Sequence, residues 1–265
     1  MSAVYAQTLN GRELTIRGDR WLTITSFSGK VELITAQGDR RAARPGDRLV
    51  SVGDTILTGS NSAARLEIDQ SAGYVSMAEN SQMRIQTLSI TSRGGRVTEL
   101  AVLLGQVRLR IRRLTNPDTR IEIYTPAGVS GVRGTVFGVA VQPDGFTGVA
   151  TSEGSVATRA QGETVMVVAD TQSTIVPGEP PTPPVPLRDD PTLFIESLSE
   201  IPGTSKVRVM GYTDSVNLFD INQGRQSLDR NGRFDLEAAL TDSRQVDVVI
   251  TTPLGTQQQY RLVVP

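Results

Sequence analysis

Short runs in which apolar and polar residues alternate one by one recur along this chain, and that period of two constrains its fold more than any other feature. Val31-Glu-Leu33, Ala64-Arg-Leu66-Glu-Ile68, Val107-Arg-Leu109-Arg-Ile111 and Ile121-Glu-Ile123-Tyr124 are such runs, with Leu14-Thr-Ile16 a shorter one. Extended backbone turns successive side chains to opposite faces, so each run describes a strand with one buried side. Turn-forming residues follow at short intervals: Gly38-Asp39, Pro45-Gly46-Asp47, Gly53-Asp54, Gly59-Ser60-Asn61, Gly94-Gly95, Asn116-Pro117-Asp118 and Pro143-Asp144-Gly145. Such spacing leaves no room for the long crossover helices that parallel sheets need. The pattern predicts an all-β protein.

At 265 residues the chain is long enough for two ordinary domains. Between Pro177 and Pro186 six of ten residues are proline. Proline favours extended polyproline II and cannot donate to a sheet ladder, so residues 177–191 are expected to be a linker. A long surface loop within one domain is the competing reading, and docking of the prolines on a partner's aromatic groove is a third. Beyond them, Lys206-Val-Arg-Val-Met-Gly211, Ser215-Val-Asn-Leu-Phe219, Arg233-Phe-Asp-Leu236, Gln245-Val-Asp-Val-Val-Ile250 and Gln259-Tyr-Arg-Leu-Val-Val264 predict at least five strands. That count and spacing suit a small immunoglobulin-like sandwich over 192–265, preceded by a larger β domain over 1–176.

Composition removes whole classes of chemistry. There is no cysteine, so disulfides, thiol nucleophiles and thiolate zinc sites are excluded. There is no histidine either, which removes the usual general base and the commonest metal ligand. Gly-x-Ser-x-Gly is absent, and no catalytic residue, metal ligand or cofactor site is assigned. The glycines Gly128, Gly131, Gly134 and Gly138 are spaced somewhat like a phosphate loop, but no Lys-Ser/Thr follows them. A net charge of −1 argues against nucleic acid.

No stretch reaches the ~20 apolar residues of a membrane helix. The ending Val4-Tyr5-Ala6 of the first residues suits a leader-peptidase site without its apolar region, so a leader removed from an exported protein is expected.

The first domain carries a set of motifs: Gly46-Asp47-Arg-Leu49, Val52-Gly53-Asp54-Thr-Ile56-Leu-Thr58-Gly59-Ser-Asn61-Ser62, Ala64-Arg-Leu66, Gly105-Gln-Val107, Ile123-Tyr124-Thr125-Pro126 and Val132-Arg133-Gly134-Thr135-Val-Phe137. Together they resemble the FecR family of bacterial extracytoplasmic domains. The resemblance covers roughly residues 46–158 and implies an exported β-solenoid-like module in which Gly53, Asp54, Gly59, Thr125, Pro126, Arg133, Gly134, Thr135 and Phe137 are structural. It also implies a relation to membrane-crossing anti-sigma regulators, whose cytoplasmic segment and membrane helix this sequence does not show. The second domain, with Val207-Arg-Val209, Asp229-Arg-Asn231-Gly232 and Phe234, is similar to bacterial immunoglobulin-like modules.

Individual residues carry further expectations. Asp47 and Asp54 each follow glycine and are read as turn-makers that accept backbone N–H groups, ahead of a paired-carboxylate site. Arg133, between small and apolar neighbours, is expected to be a buried arginine forking onto carbonyls or a carboxylate. Alternation in Val107–Ile111 places Arg108, Arg110 and Arg112 opposite an apolar face. Residues 93–120 hold seven arginines against Glu99 and Asp118. The bland reading is a solvated face that discourages edge aggregation; the functional one is a surface for an acidic envelope glycan or protein, held by salt-sensitive bidentate contacts.

These features predict a non-catalytic, extracytoplasmic binding or scaffold protein of the bacterial envelope. Its alternatives are the periplasmic sensor of a FecR-type regulator and an accessory module of a carbohydrate-active protein.

Overall fold

A computed structural model describes residues 20–69 and 72–264, all of them strand, turn or coil. Leu14-Thr-Ile16 and Val4-Tyr5-Ala6 lie outside the described residues.

The first body contains β1 (Leu22–Ser28), β2 (Val31–Ile34), β3 (Arg40–Ala42), β4 (Arg48–Leu49), β5 (Thr55–Thr58), β6 (Ala63–Ile68), β7 (Gly73–Met77), β8 (Gln82–Ile90) and β9 (Arg96–Ile111). It continues with β10 (Arg120–Tyr124), β11 (Val129–Val132), β12 (Val136–Val141), β13 (Thr147–Glu153), β14 (Ser155–Ala160), β15 (Glu163–Val168), β16 (Thr171–Ile175) and β17 (Val185–Pro186). They form two layers that share the long β9. One runs β4-β1-β6-β7-β9-β12-β13-β16-β17. The other runs β3-β2-β5-β8-β9-β10-β11-β14-β15. Every pairing is antiparallel except β9 with β10.

β9 changes layer in mid-strand. Residues Arg96–Leu104 pair with β8, and Gly105–Arg110 pair with β12. The corner is Gly105, at φ +90° and hard against Ser81, where a side chain has neither an allowed conformation nor space. The chain crosses between layers repeatedly, and the inward residue of each alternation fills the space between them. Leu66, Leu109, Val139 and Val149 come from one layer, Ile56, Ile85, Leu100 and Ile123 from the other, all nearly inaccessible to water. Full burial of one such side chain contributes about 1.5–3 kcal/mol, so the period-two pattern is itself the record of this core.

The second body has β18 (Phe194–Glu200), β19 (Lys206–Tyr212), β20 (Leu218–Ile221), β21 (Gly224–Gln226), β22 (Arg233–Ala239), β23 (Gln245–Thr251) and β24 (Gln257–Val263). β18-β19-β22 form a three-stranded sheet and β21-β20-β23-β24 a four-stranded one. Val207, Val209 and Phe234 of the first meet Phe219, Val246 and Ile250 of the second in a shared core. Phe219 and Phe234 stack with ring centroids 4.4 Å apart.

The proline segment is fastened on both sides. Val185 and Pro186 pair with Gln172 and Thr171 of β16, and the Thr182 hydroxyl accepts the Thr174 N–H at 2.9 Å. At its other end the Asp190 carbonyl accepts from Asn217, and the Tyr260 hydroxyl donates to the Pro191 carbonyl at 3.0 Å.

Candidate functional site

Two features of the β9–β16 region stand apart from ordinary core packing: the surface on which the second body sits, and the arginine face beside it. Along β12 all six residues, Val136–Val141, are buried, and so are Thr147–Thr151 of β13. A strand buried on both sides has both faces covered. The inward side meets the core; the outward side meets the second body.

Small residues make that contact possible. A methyl group at Gly138 would overlap the Pro253 carbonyl, and one at Gly148 would come within 2.8 Å of the Val216 carbonyl oxygen. Three glutamines, each almost fully buried, supply the polar complement. The Gln106 amide donates to the Pro253 carbonyl at 2.7 Å. Gln142 donates to the Ser215 and Asn217 carbonyls and accepts the Leu228 N–H at 2.7 Å. Gln172 donates to Asp214 at 3.1 Å and accepts the Arg188 N–H. Glutamine offers both a donor and an acceptor and satisfies exposed backbone without burying a charge.

An ion pair adds a fourth tie. Asp220 and Arg225 lie 2.7 Å apart with side chains 2% and 4% exposed. Arg225 also donates to the Asn80 and Glu79 carbonyls, and Asn80 donates to Asp220 at 3.1 Å. The remaining valences of the pair are thus filled from the first body, which is what makes a buried pair tolerable.

The arginines of 93–120 divide into two groups. Arg93, Arg96 and Arg120 face Asp118, Asp69 and Glu99 at 3.9, 3.9 and 3.2 Å. Arg108, Arg110, Arg112 and Arg113 are exposed and have no ion pair among the described residues. Arg108 and Arg110 project from the outer side of β9, opposite the buried Val107, Leu109 and Ile111, beside Ser76 and Tyr74 of β7. Arg65 lies over the Tyr74 ring at 4.5 Å, extending the cationic surface by one strand. Arg112 follows the end of β9, where its N–H bonds the Ala72 carbonyl.

The motif residues are dispersed through the first body, not gathered at one point. The Asp54 carboxylate accepts the N–H groups of Ala36, Val50 and Ser51, each at 2.9 Å. Asp47 accepts the Arg44 N–H and pairs with Arg41 at 2.6 Å. The Arg41 guanidinium, helped by that N–H and opposed by burial, holds the Asp47 carboxyl below its ordinary range. Gly53 adopts φ +99° and Gly134 φ +136° in turns. Gly59 donates to the Lys30 carbonyl, and the Thr125 hydroxyl exchanges bonds with Gly128 beyond Pro126. Phe137 is fully buried and Thr135 nearly so. Arg133 departs from expectation: it is exposed, not buried, because it sits in the bend between β11 and β12, at the surface. There it donates to the Asn116 and Pro117 carbonyls.

Sequence reasoning missed the three glutamines and the role of Gly138 and Gly148. One signal was present: Val136-Phe-Gly-Val-Ala-Val141 breaks the alternation and is apolar throughout, the mark of a strand covered on both sides. Among the described residues no group of three or more acidic side chains could hold a metal ion.

Residues 54–157 match the model of the FecR protein family. No curated protein sequence matches the chain. Among solved structures, a candidate anti-sigma factor from Parabacteroides distasonis ATCC 8503 is similar at 17% identity and a TM-score of 0.41. That similarity covers 50% of this chain and 59% of the other, so this chain spans less than two thirds of that protein's length.

Proposed function

We propose that this chain, whose residues 54–157 match the FecR family, is the non-catalytic extracytoplasmic part of a FecR-type signal-transducing regulator. The family match carries the reading. The docking of the second body is compatible with it: Gly138, Gly148 and the three glutamines form a contact through which a partner bound to one body would act on the other. The absence of histidine and cysteine from the sequence favours transmission by contact over catalysis. Among the described residues no helix is long and apolar enough to cross a membrane; in this reading the signal passes to a membrane-spanning segment or partner.

Site-specific photo-crosslinking from the exposed surfaces of the full chain in its own bacterium tests this. The expected result is a crosslink to a membrane protein, together with altered transcription of a sigma-factor-dependent gene when the gene for this chain is deleted. Loss of both would sink the proposal.

A second reading, an envelope binding or scaffold module, rests on Arg108, Arg110 and Arg112, exposed and without ion pairs among the described residues. An acidic glycan or acidic protein is the partner such a face would take, through bidentate contacts that weaken as salt rises. Retention of the full chain on an immobilised acidic glycan should fall when all three are changed to Ala. Unchanged retention removes this reading and leaves the arginines as a solvated face.

A further inference from the structure

Where the proline segment meets the second body, the surface opens into a groove of about 690 Å³. Thr182, Pro183 and Val185 form one wall, and Phe194, Tyr212 and Asn231 the other. The volume falls within the range of small-ligand sites, ~300–1,000 Å³.

An aromatic platform stands in the second wall. Phe194 is 49% exposed, although it is one of the few aromatic residues in the chain. Its ring stacks on Tyr212 with centroids 4.8 Å apart and planes 14° from parallel. The Arg233 guanidinium lies over Tyr212 at 5.6 Å from the ring centroid and is itself held by both carboxylate oxygens of Glu196 at 3.0 Å. Four side chains are therefore stacked and tethered so that the Phe194 ring is presented to solvent in a fixed orientation. A large apolar surface held exposed marks a place where something binds.

The polar lining narrows the class. Among the described residues the Asn231 side-chain amide has no hydrogen-bond partner, so a donor and an acceptor are free beside the platform. The Thr182 and Thr192 hydroxyls lie in the same lining as acceptors, the first already taking the Thr174 N–H and the second giving its proton to Asp190. Of the charged groups, Arg188 faces Asp214 at 3.4 Å, and Asp190 is occupied by the N–H and hydroxyl of Thr192. Nothing here supplies the unpaired positive charge that a polyanion requires. The two rings also lie against each other, so no slot between them can take a proline ring.

We infer that this groove is a binding site for a neutral oligosaccharide, one pyranose stacking its C–H face on Phe194 while Asn231 and the threonine hydroxyls bond its hydroxyl groups. The site is separate from the arginine face and does not depend on the signalling role.

Calorimetric titration of the full chain with cellohexaose, maltohexaose and chitohexaose, and with a neutral polyproline decamer for comparison, tests it. At least one hexasaccharide should bind, with an affinity that changes little between low and high salt. Phe194→Leu, which keeps apolar bulk and removes the ring face, should weaken that binding about tenfold, a change of roughly 1.4 kcal/mol. Asn231→Ala, at an exposed position, should weaken it as well, whereas Arg108→Ala/Arg110→Ala should leave it unchanged. Binding of none of the sugars, binding of polyproline alone, or equal affinity in Phe194→Leu and the native chain would overturn the inference.

Discussion

The Gln106 side-chain amide donates to the Pro253 carbonyl oxygen at 2.7 Å, joining positions 147 apart in the sequence across the contact between the two bodies. Gln142 does the same work with more bonds, since its amide serves two carbonyls and one N–H. Replacing it by leucine keeps the volume and leaves those backbone groups buried without partners. Gln142→Leu should lower stability by about 1–3 kcal/mol, and Gln106→Leu by less, as measured by urea denaturation. Equal stability of Gln142→Leu and the native chain would show that water already serves these groups.

Gly138→Val tests whether the bodies unfold as one. The added side chain must displace the Pro253 carbonyl, because the atoms it meets are Pro253 and Leu254 backbone, which cannot turn aside as a side chain could. Scanning calorimetry should then resolve two transitions where the native chain shows one, with the earlier one belonging to the second body. A single transition at the native temperature would mean that the contact yields without separating.

Asp220→Asn removes the charge that balances Arg225 inside the contact. An uncompensated buried guanidinium costs about 3–5 kcal/mol, so this variant should be among the least stable single substitutions. Asp235→Asn breaks an exposed pair with Arg208, which solvent screens, and should leave stability close to that of the native chain. Comparable losses in the two variants would contradict the burial seen here.

Asp47 gives a pH signature. Its carboxyl is lowered in the folded state, chiefly by Arg41, so it binds protons more weakly when folded than when unfolded. Its contribution is therefore complete above the unfolded carboxylate pKa of about 3.9 and is lost as pH falls through the lower folded value. Asp47→Asn should be less stable than the native chain at neutral pH by about 1 kcal/mol, and the gap should close as the solution is acidified below that range. A gap independent of pH would show that Asn reproduces the turn and that charge plays no part.

What could be read beforehand follows the physics of burial. Ile121, Ile123, Val107 and Leu109 alternate with polar residues, so both their strand and their buried face could be inferred from order alone. Gly53-Asp54 announced a turn because a carboxylate after glycine accepts local N–H groups, and Asp54 accepts three. Gln106 and Gln142 gave no local sign of their role: a glutamine on a strand reads as a solvent-facing residue until another body covers it. The same limit applies to Arg133, whose apolar neighbours argued for burial although the turn that carries it lies at the surface. Phe194 was equally silent, since only the fold places Tyr212 and Arg233 behind it.

The fastening of Val185 and Pro186 along β16 has a consequence for how the protein coexists with copies of itself. A layered sheet of this length ends in a rim of backbone groups that would template another chain. Here the terminal rung is the two-residue β17, and its Pro186 brings no N–H with which to recruit a further strand. The segment that joins the two bodies thus also covers the edge of β16 at Thr171 and Gln172, where a further strand could otherwise add.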